Sequence, residues 1–143
     1  MYIDFTLKVD EEFVRKNQDQ FDWQNWADIC EHVKMSEDFI REFQNKVNWE
    51  EISCHQKLSE NFIREFQNKV CWFWISFFQN LSNKFIIEFK NYIDFEKILE
   101  KYGYSISVIS KFKVNKDNFH SNELNYLELR DLALKLISLK AFQ

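Results

Sequence analysis

The chain has 143 residues, 45% hydrophobic and 29% charged, which is enough apolar material to build a core and points to a folded globular protein rather than a disordered one. Its net charge is −4 with both signs interspersed, which argues against charge-driven binding to nucleic acid or membrane and is too mild for a DNA mimic. One Gly and no Pro leave little for tight hairpins or sharp breaks, so helices joined by short polar turns are expected.

From the N-terminus, MYIDFTLKVDEE has no basic leader and no apolar h-region, so no secretion signal is expected. Ile3, Phe5, Leu7 and Val9 alternate, which suits a short strand or an extended cap. From Val9, VDEEFVRKNQDQFDW reads as a diverged first copy of a repeat, with three extra residues near Trp23 and Trp26. Residues 35–57 and 58–80 are clear copies, identical at 15 of 23 positions, and LSNKFIIEFKNYIDFEKILEKYG (81–103) continues in phase. A degenerate fourth start begins at Tyr104. SNELNYLELRDLALKLISL, from Ser121, reads as a closing helix, although Leu132, Leu134 and Leu136 also alternate as a strand would.

Each copy predicts two short helices. In LSENFIREFQNKV, Ser59 is an N-cap, Glu60 suits the positive helix end, and Leu58 staples onto Ile63 across the cap. Phe62, Ile63, Phe66 and Val70 fall within about 100° on a helical wheel and form one buried stripe. Glu60→Arg64, Glu65→Lys69, Glu37→Arg41 and Glu42→Lys46 have the favourable i,i+4 order and mark a wet face. The second helix opens at a capping Asn48 or Asp94 and buries Trp49 with Ile52, or Phe95 with Ile98. Gly103 stands where a helix C-terminus takes a left-handed residue. Helix pairs this short bury their stripes only against neighbours, so the expected fold is a single all-α domain over residues 1–143. Short helix pairs would stack in a solenoid-like or compact bundle. Residues 1–34 and 104–143 would be its caps, with a possible N-terminal strand.

The LSE·FI·EF··KV·W··IS··Q unit resembles tandem repeats of about this length in proteins of giant DNA viruses and phages with A/T-rich genomes, repeats to which no chemistry is assigned. The resemblance covers residues 35–103 well and the flanks poorly. It implies a viral or phage setting and a binding or scaffolding role.

No enzyme signature stands in the sequence, and no cofactor is called for. One Gly does not make a phosphate-cradling loop. Cys30-x-His32 and Cys54-His55 lack the second ligand pair of a zinc site, so no metal is expected. Cys54 or Cys71 with His120 is a conceivable nucleophile pair that no motif orients. Helical repeats also read RNA, with Arg41/Lys46 and Arg64/Lys69 as candidates, but each cation has an acidic neighbour and no net basic face results. Three cysteines without framework spacing suit a reducing compartment. The longest apolar run, Val70 to Phe78, is broken by Ser76 and is too short to cross a membrane. The expected location is the cytoplasm of a host cell.

The individual feature is CWFWISFFQ (71–79). The preceding copy reads NWEEISCHQ, and the frame W··IS··Q is common to both. Cys71 replaces an Asn cap, and Phe73, Trp74, Phe77 and Phe78 replace Glu50, Glu51, Cys54 and His55. Trp72 and Ile75 keep the repeat's own stripe, while the four new aromatics fall between about 100° and 240°, on the opposite face. Fully exposed, they would present roughly 600–1,000 Å², more than the ~300–600 Å² that monomers leave in water. The cover is the Ile3–Val9 segment or the C-terminal helix, a second copy, or a foreign protein. The functional expectation is a non-enzymatic protein-binding module using Phe73, Trp74, Phe77 and Phe78, in its most concrete form an inhibitor of a host defence effector of the anti-CRISPR kind. Its target would be a protein or nucleic-acid-binding surface of that effector. A self-associating viral scaffold and an RNA-binding repeat are the alternatives.

Overall fold

Serine at 23-residue spacing sets the rhythm of the fold. Ser36, Ser59 and Ser82 each have extended backbone and accept from the amide three residues on, so a helix starts at each. In the computed structural model, which describes residues 1–103, 131, 133–135 and 138, the chain forms helices α1 (Glu11–Asn17), α2 (Trp23–His32), α3 (Glu37–Glu42), α4 (Trp49–His55), α5 (Glu60–Glu65), α6 (Trp72–Phe78), α7 (Asn83–Glu88) and α8 (Phe95–Lys101). A 3₁₀ turn at Gln18–Gln20 follows α1. The all-α repeat architecture is as the sequence predicts, and the chain divides into two compact units, Met1–Gln79 and Asn80–Gln143.

In the first unit the second helices α2, α4 and α6 pack in succession, and α1, α3 and α5 form a companion row. Phe39, Ile40, Ile52, Phe62, Ile63 and Ile75 are fully buried, with Phe43, Phe66 and Val70 nearly so. The three extra residues of the first copy appear as one more turn at the start of α2, which has 10 residues where α4 and α6 have 7. A capping box between Asp22 and Asn25 holds that turn. Register is restored beyond it: Trp26 meets Phe43 at 5.3 Å as Trp49 meets Phe66 at 5.0 Å.

Two ladders join successive copies. The first is made by the retained glutamine. Gln56 Nε2 donates to the carbonyls of Cys30 (2.7 Å) and Val33 (2.8 Å), and its Oε1 accepts from Met35 N (2.9 Å). Gln79 does the same one copy later, donating to Ser53 (3.0 Å) and Gln56 (2.8 Å) and accepting from Leu58 N (3.0 Å). Each side chain thus satisfies carbonyls at the C-terminal end of the preceding second helix and the amide that follows it, groups a helix end leaves open. The second ladder is ionic and corrects the expected Glu42→Lys46 and Glu65→Lys69 pairs. Because α3 and α5 stop at Glu42 and Glu65, the lysines lie beyond the helix and i,i+4 geometry is lost. Glu42 takes Arg15 (2.9 Å) and Glu65 takes Arg41 (2.8 Å), each from the preceding copy. Lys46 and Lys69 reach back to Gln18 and Gln44, both at 2.9 Å. Glu37→Arg41 and Glu60→Arg64 do form, loosely, at 4.0 and 3.8 Å.

The Ile3–Val9 segment is not a strand. The Asp4 carboxylate accepts from Thr6 N (3.0 Å) and Thr6 Oγ1 (2.6 Å), which bends the chain and leaves Leu7 68% exposed. The segment is anchored on α2: Asn25 Nδ2 donates to Met1 O (2.7 Å), and Phe5 stacks on His32 at 4.8 Å.

In the second unit α7 and α8 repeat the pattern, with Phe85, Ile86, Phe95, Ile98 and Leu99 buried and Asp94 capping α8. Gly103 has φ of 82° just past α8, the left-handed position expected of it. Asp131, residues 133–135 and Ser138 are helical and Ala133 is buried, in keeping with a closing helix there. The rest of that predicted helix and the fourth start at Tyr104 lie outside the described residues.

Candidate protein interface on α6

α6 begins without a side-chain cap. Cys71 has the backbone of a cap residue (φ −85°, ψ 103°), close to that of Asn48 (φ −83°, ψ 111°), but makes no capping hydrogen bond. Its amide donates instead to Ser53 Oγ at 2.9 Å, while that hydroxyl donates to Trp49 O at 2.6 Å. Serine at this position of the second helix is therefore a joint between copies. In the first copy Cys30 stands in its place, with the Asn48 backbone amide beside its sulfur. Burial pushes the Cys30 thiol up to about 12.

The inward side of α6 is the repeat's own. Ile75 and Ser76 are fully buried, and Trp72 Nε1 donates to Gln67 O at 3.0 Å, as Trp49 Nε1 does to Gln44 O at 3.0 Å. The outward side carries the four predicted interface residues. Phe73 is 39% and Phe78 48% exposed, while Trp74 and Phe77 are half-buried. Their rings pack on one another: Phe73 on Trp74 at 4.5 Å, Trp74 on Phe78 at 5.6 Å and Phe77 on Phe78 at 4.8 Å. Mutual packing is one reason the face is smaller than the fully exposed count. Phe73 and Phe78 leave on the order of 150–200 Å² in water between them, the size of a hot spot rather than of a whole interface. The Ile3–Val9 segment, anchored on α2, is not its lid. The Leu-rich C-terminal alternative lies outside the described residues.

Trp74 also ends an open groove of about 360 Å³ lined by Glu31 of α2, Glu50, Glu51, Cys54 and His55 of α4, and Trp74 of α6. Trp74 was read from sequence as an interface residue, but its grouping with Glu31, Glu50, Glu51, Cys54 and His55 was not, yet the repeat contains the signal. Asp28, Glu51 and Trp74 are equivalent at 23-residue spacing, as are Glu31, Cys54 and Phe77, and stacked helices bring such positions side by side. His55 Nε2 lies 3.2 Å from Glu51. Burial first, then the charges of Glu51, Glu31 and Cys71, push the Cys54 thiol up, which opposes the thiolate a nucleophile needs. His120, its suggested partner, lies outside the described residues. Among the described residues no group of three His, Cys, Asp or Glu is placed to hold a metal ion, and no helix is long and apolar enough to cross a membrane.

The cations named for RNA are engaged. Arg41 bonds Glu65 and Asp38, both at 2.8 Å, and lies 5.1 Å over the Phe62 ring. The hydrogen bond to Glu65 leads in holding its guanidinium above the ordinary arginine value. Lys69 lies 5.7 Å over Trp49 and 6.0 Å over Phe66.

Comparison of the chain with family models, with curated proteins and with solved structures finds no match.

Proposed function

We propose that this chain is a non-enzymatic repeat module that binds another protein through Phe73, Trp74, Phe77 and Phe78. The observation that carries the reading is the division of labour on α6. Its buried side keeps the repeat's packing intact, with Ile75 at 0% exposure, while its other side sets out large aromatics of which Phe73 and Phe78 stay 39% and 48% exposed. The preceding copy shows that the fold does not need them, since α4 packs equally well with Glu50, Glu51, Cys54 and His55 at those positions. Aromatic side chains surrounded by polar groups are the usual anchors of protein interfaces. Inhibition of a host defence effector in the host cytoplasm is the form of this activity that fits the viral setting implied by the repeat.

The test is affinity capture from host lysate by the wild-type chain and by Phe78→Asp, with both proteins first shown to be folded. Support is a captured protein that Phe78→Asp loses. Equal capture by both removes the face from the reading, and an oligomer that Phe78→Asp dissociates replaces it with self-assembly.

A further inference from the structure

The acids of the two helix rows are treated differently, and the difference describes the partner. In the row of first helices Glu11, Glu37, Glu42 and Glu65 each face an arginine within 4.0 Å. In the row of second helices Glu31, Glu50 and Glu51 line one groove with Trp74, and among the described residues no lysine or arginine lines it. The ion-pair neighbours that Glu31 and Glu51 have are imidazoles, His32 at 3.7 Å and His55 at 3.2 Å. Glu31 remains 46% and Glu51 32% exposed at the side chain. The groove is thus a concentration of negative charge ending on an indole, directly continuous with the aromatic face through Trp74 and its ring contact with Phe78.

We infer that the α6 face takes a protein segment in which a lysine or arginine adjoins large apolar side chains. The apolar side chains lie on Phe73 and Phe78, and the cation enters the groove between Glu31, Glu51 and the Trp74 ring. The inference rests on the protein-binding reading and adds the partner's chemistry. Carboxylates attract the cation from a distance and form charge-assisted hydrogen bonds on contact. The indole adds a cation–π contact. The apolar groups find aromatic area that would otherwise stay in water. The same charge repels phosphate, so nucleic acid and anionic lipid are poor occupants.

The test uses the full chain and labelled synthetic peptides of matched length, read by fluorescence anisotropy at roughly physiological salt. The four compositions are Leu/Phe with Arg/Lys, Leu/Phe with Glu, Leu/Phe with Ser, and Arg/Lys with Ser. The expected result is binding of the basic apolar peptide about tenfold or more tighter than the other three. Glu31→Gln/Glu51→Gln should reduce that preference about tenfold without changing the weak binding of the Ser-apolar peptide. Trp74→Leu should weaken the basic apolar peptide more than Trp74→Phe does. Circular dichroism identifies any variant that fails to fold, and Glu50→Gln, at an exposed position, is the independent charge variant, expected to lower the preference in the same direction. Equal binding of basic and Ser-apolar peptides, or no effect of the Gln variants, overturns the inference. If Phe78→Asp still abolishes the Ser-apolar binding, the wider reading survives. Failure of every peptide to bind overturns the inference too, and lysate capture then decides the wider reading alone. Tighter binding of a labelled RNA, or a dimer split by Phe78→Asp, assigns the face to another occupant.

Discussion

Gln79 donates from its side-chain amide to the backbone carbonyl of Gln56 at 2.8 Å, and Gln56 performs the same act on Val33 at 2.8 Å. The retained glutamine of the repeat is therefore a clasp between copies. Both side chains are buried, at 5% and 4% exposure, so their hydrogen bonds cannot be handed over to bulk water at no cost.

Removing a clasp should be expensive. Gln56→Ala or Gln79→Ala strands two carbonyls and one amide in a buried joint, and the expected loss is about 2–4 kcal/mol. A shift of the urea midpoint at unchanged slope measures it. A loss below about 0.5 kcal/mol would mean that water fills the joint without penalty.

The uncapped start of α6 predicts the opposite sign. Cys71 has cap geometry without a cap bond, whereas Asn48 accepts from the amides of Glu50 (2.9 Å) and Glu51 (3.2 Å). Cys71→Asn should stabilise the first unit by about 0.5–1 kcal/mol. Thermal melting of the variant against wild type is the check, and a lower midpoint would show that the half-buried thiol contributes packing that the amide does not.

Cys30 predicts a dependence on alkaline pH. Its thiol is held up to about 12 in the folded state against 9.0 for a free thiol. Between those values the unfolded chain has lost the proton and the folded chain has kept it. Stability contributed by this group is therefore complete below pH 9 and falls as pH rises, by roughly 1 kcal/mol per unit. Cys30→Ser installs the residue that the next copies use at Ser53 and Ser76. It should melt near the wild type at neutral pH and lose less stability on going from pH 8 to 10. Identical slopes for the two proteins would contradict the burial of Cys30. Iodoacetamide should likewise label Cys30 only after unfolding.

Much of the fold was legible because its signals are local. The serine caps, the Phe62–Ile63–Phe66–Val70 stripe and the Trp72–Ile75 register each depend on residues within two helical turns. Gln56 and Gln79 were visible as fixed letters of the repeat, but their role was not, since their partners stand 21 to 26 positions away. The expected Glu42–Lys46 and Glu65–Lys69 pairs assumed a helix that continues, whereas turns at Phe43 and Phe66 end it. Alternation in Ile3–Val9 suggested a strand, but a strand needs a neighbour to pair with, and the Asp4–Thr6 turn resolves the segment against α2 instead. At α6 the expected stripe holds for Ile75, which is fully buried, while Trp72 is only half-buried, as Trp74 and Phe77 of the outer face are. The exposed area of the outer face was overstated, in part because wheel positions take no account of rings packing on each other. The groove at Trp74 was missed for a related reason: it forms between copies, from positions that look unrelated until one copy is laid on the next.

A direct test of the face is the behaviour of Phe73→Asp/Phe78→Asp beside Ile75→Ala. Ile75→Ala should cost about 2–4 kcal/mol, because it opens a cavity in the shared core. The double aspartate variant should stay within about 1 kcal/mol of wild type, because its side chains enter water. The most direct measurement of the central claim is then the amount of captured partner per folded molecule of that double variant relative to wild type. The account predicts a loss of at least about tenfold with the melting curve preserved. Undiminished capture by the folded double variant, or its outright unfolding, would contradict it.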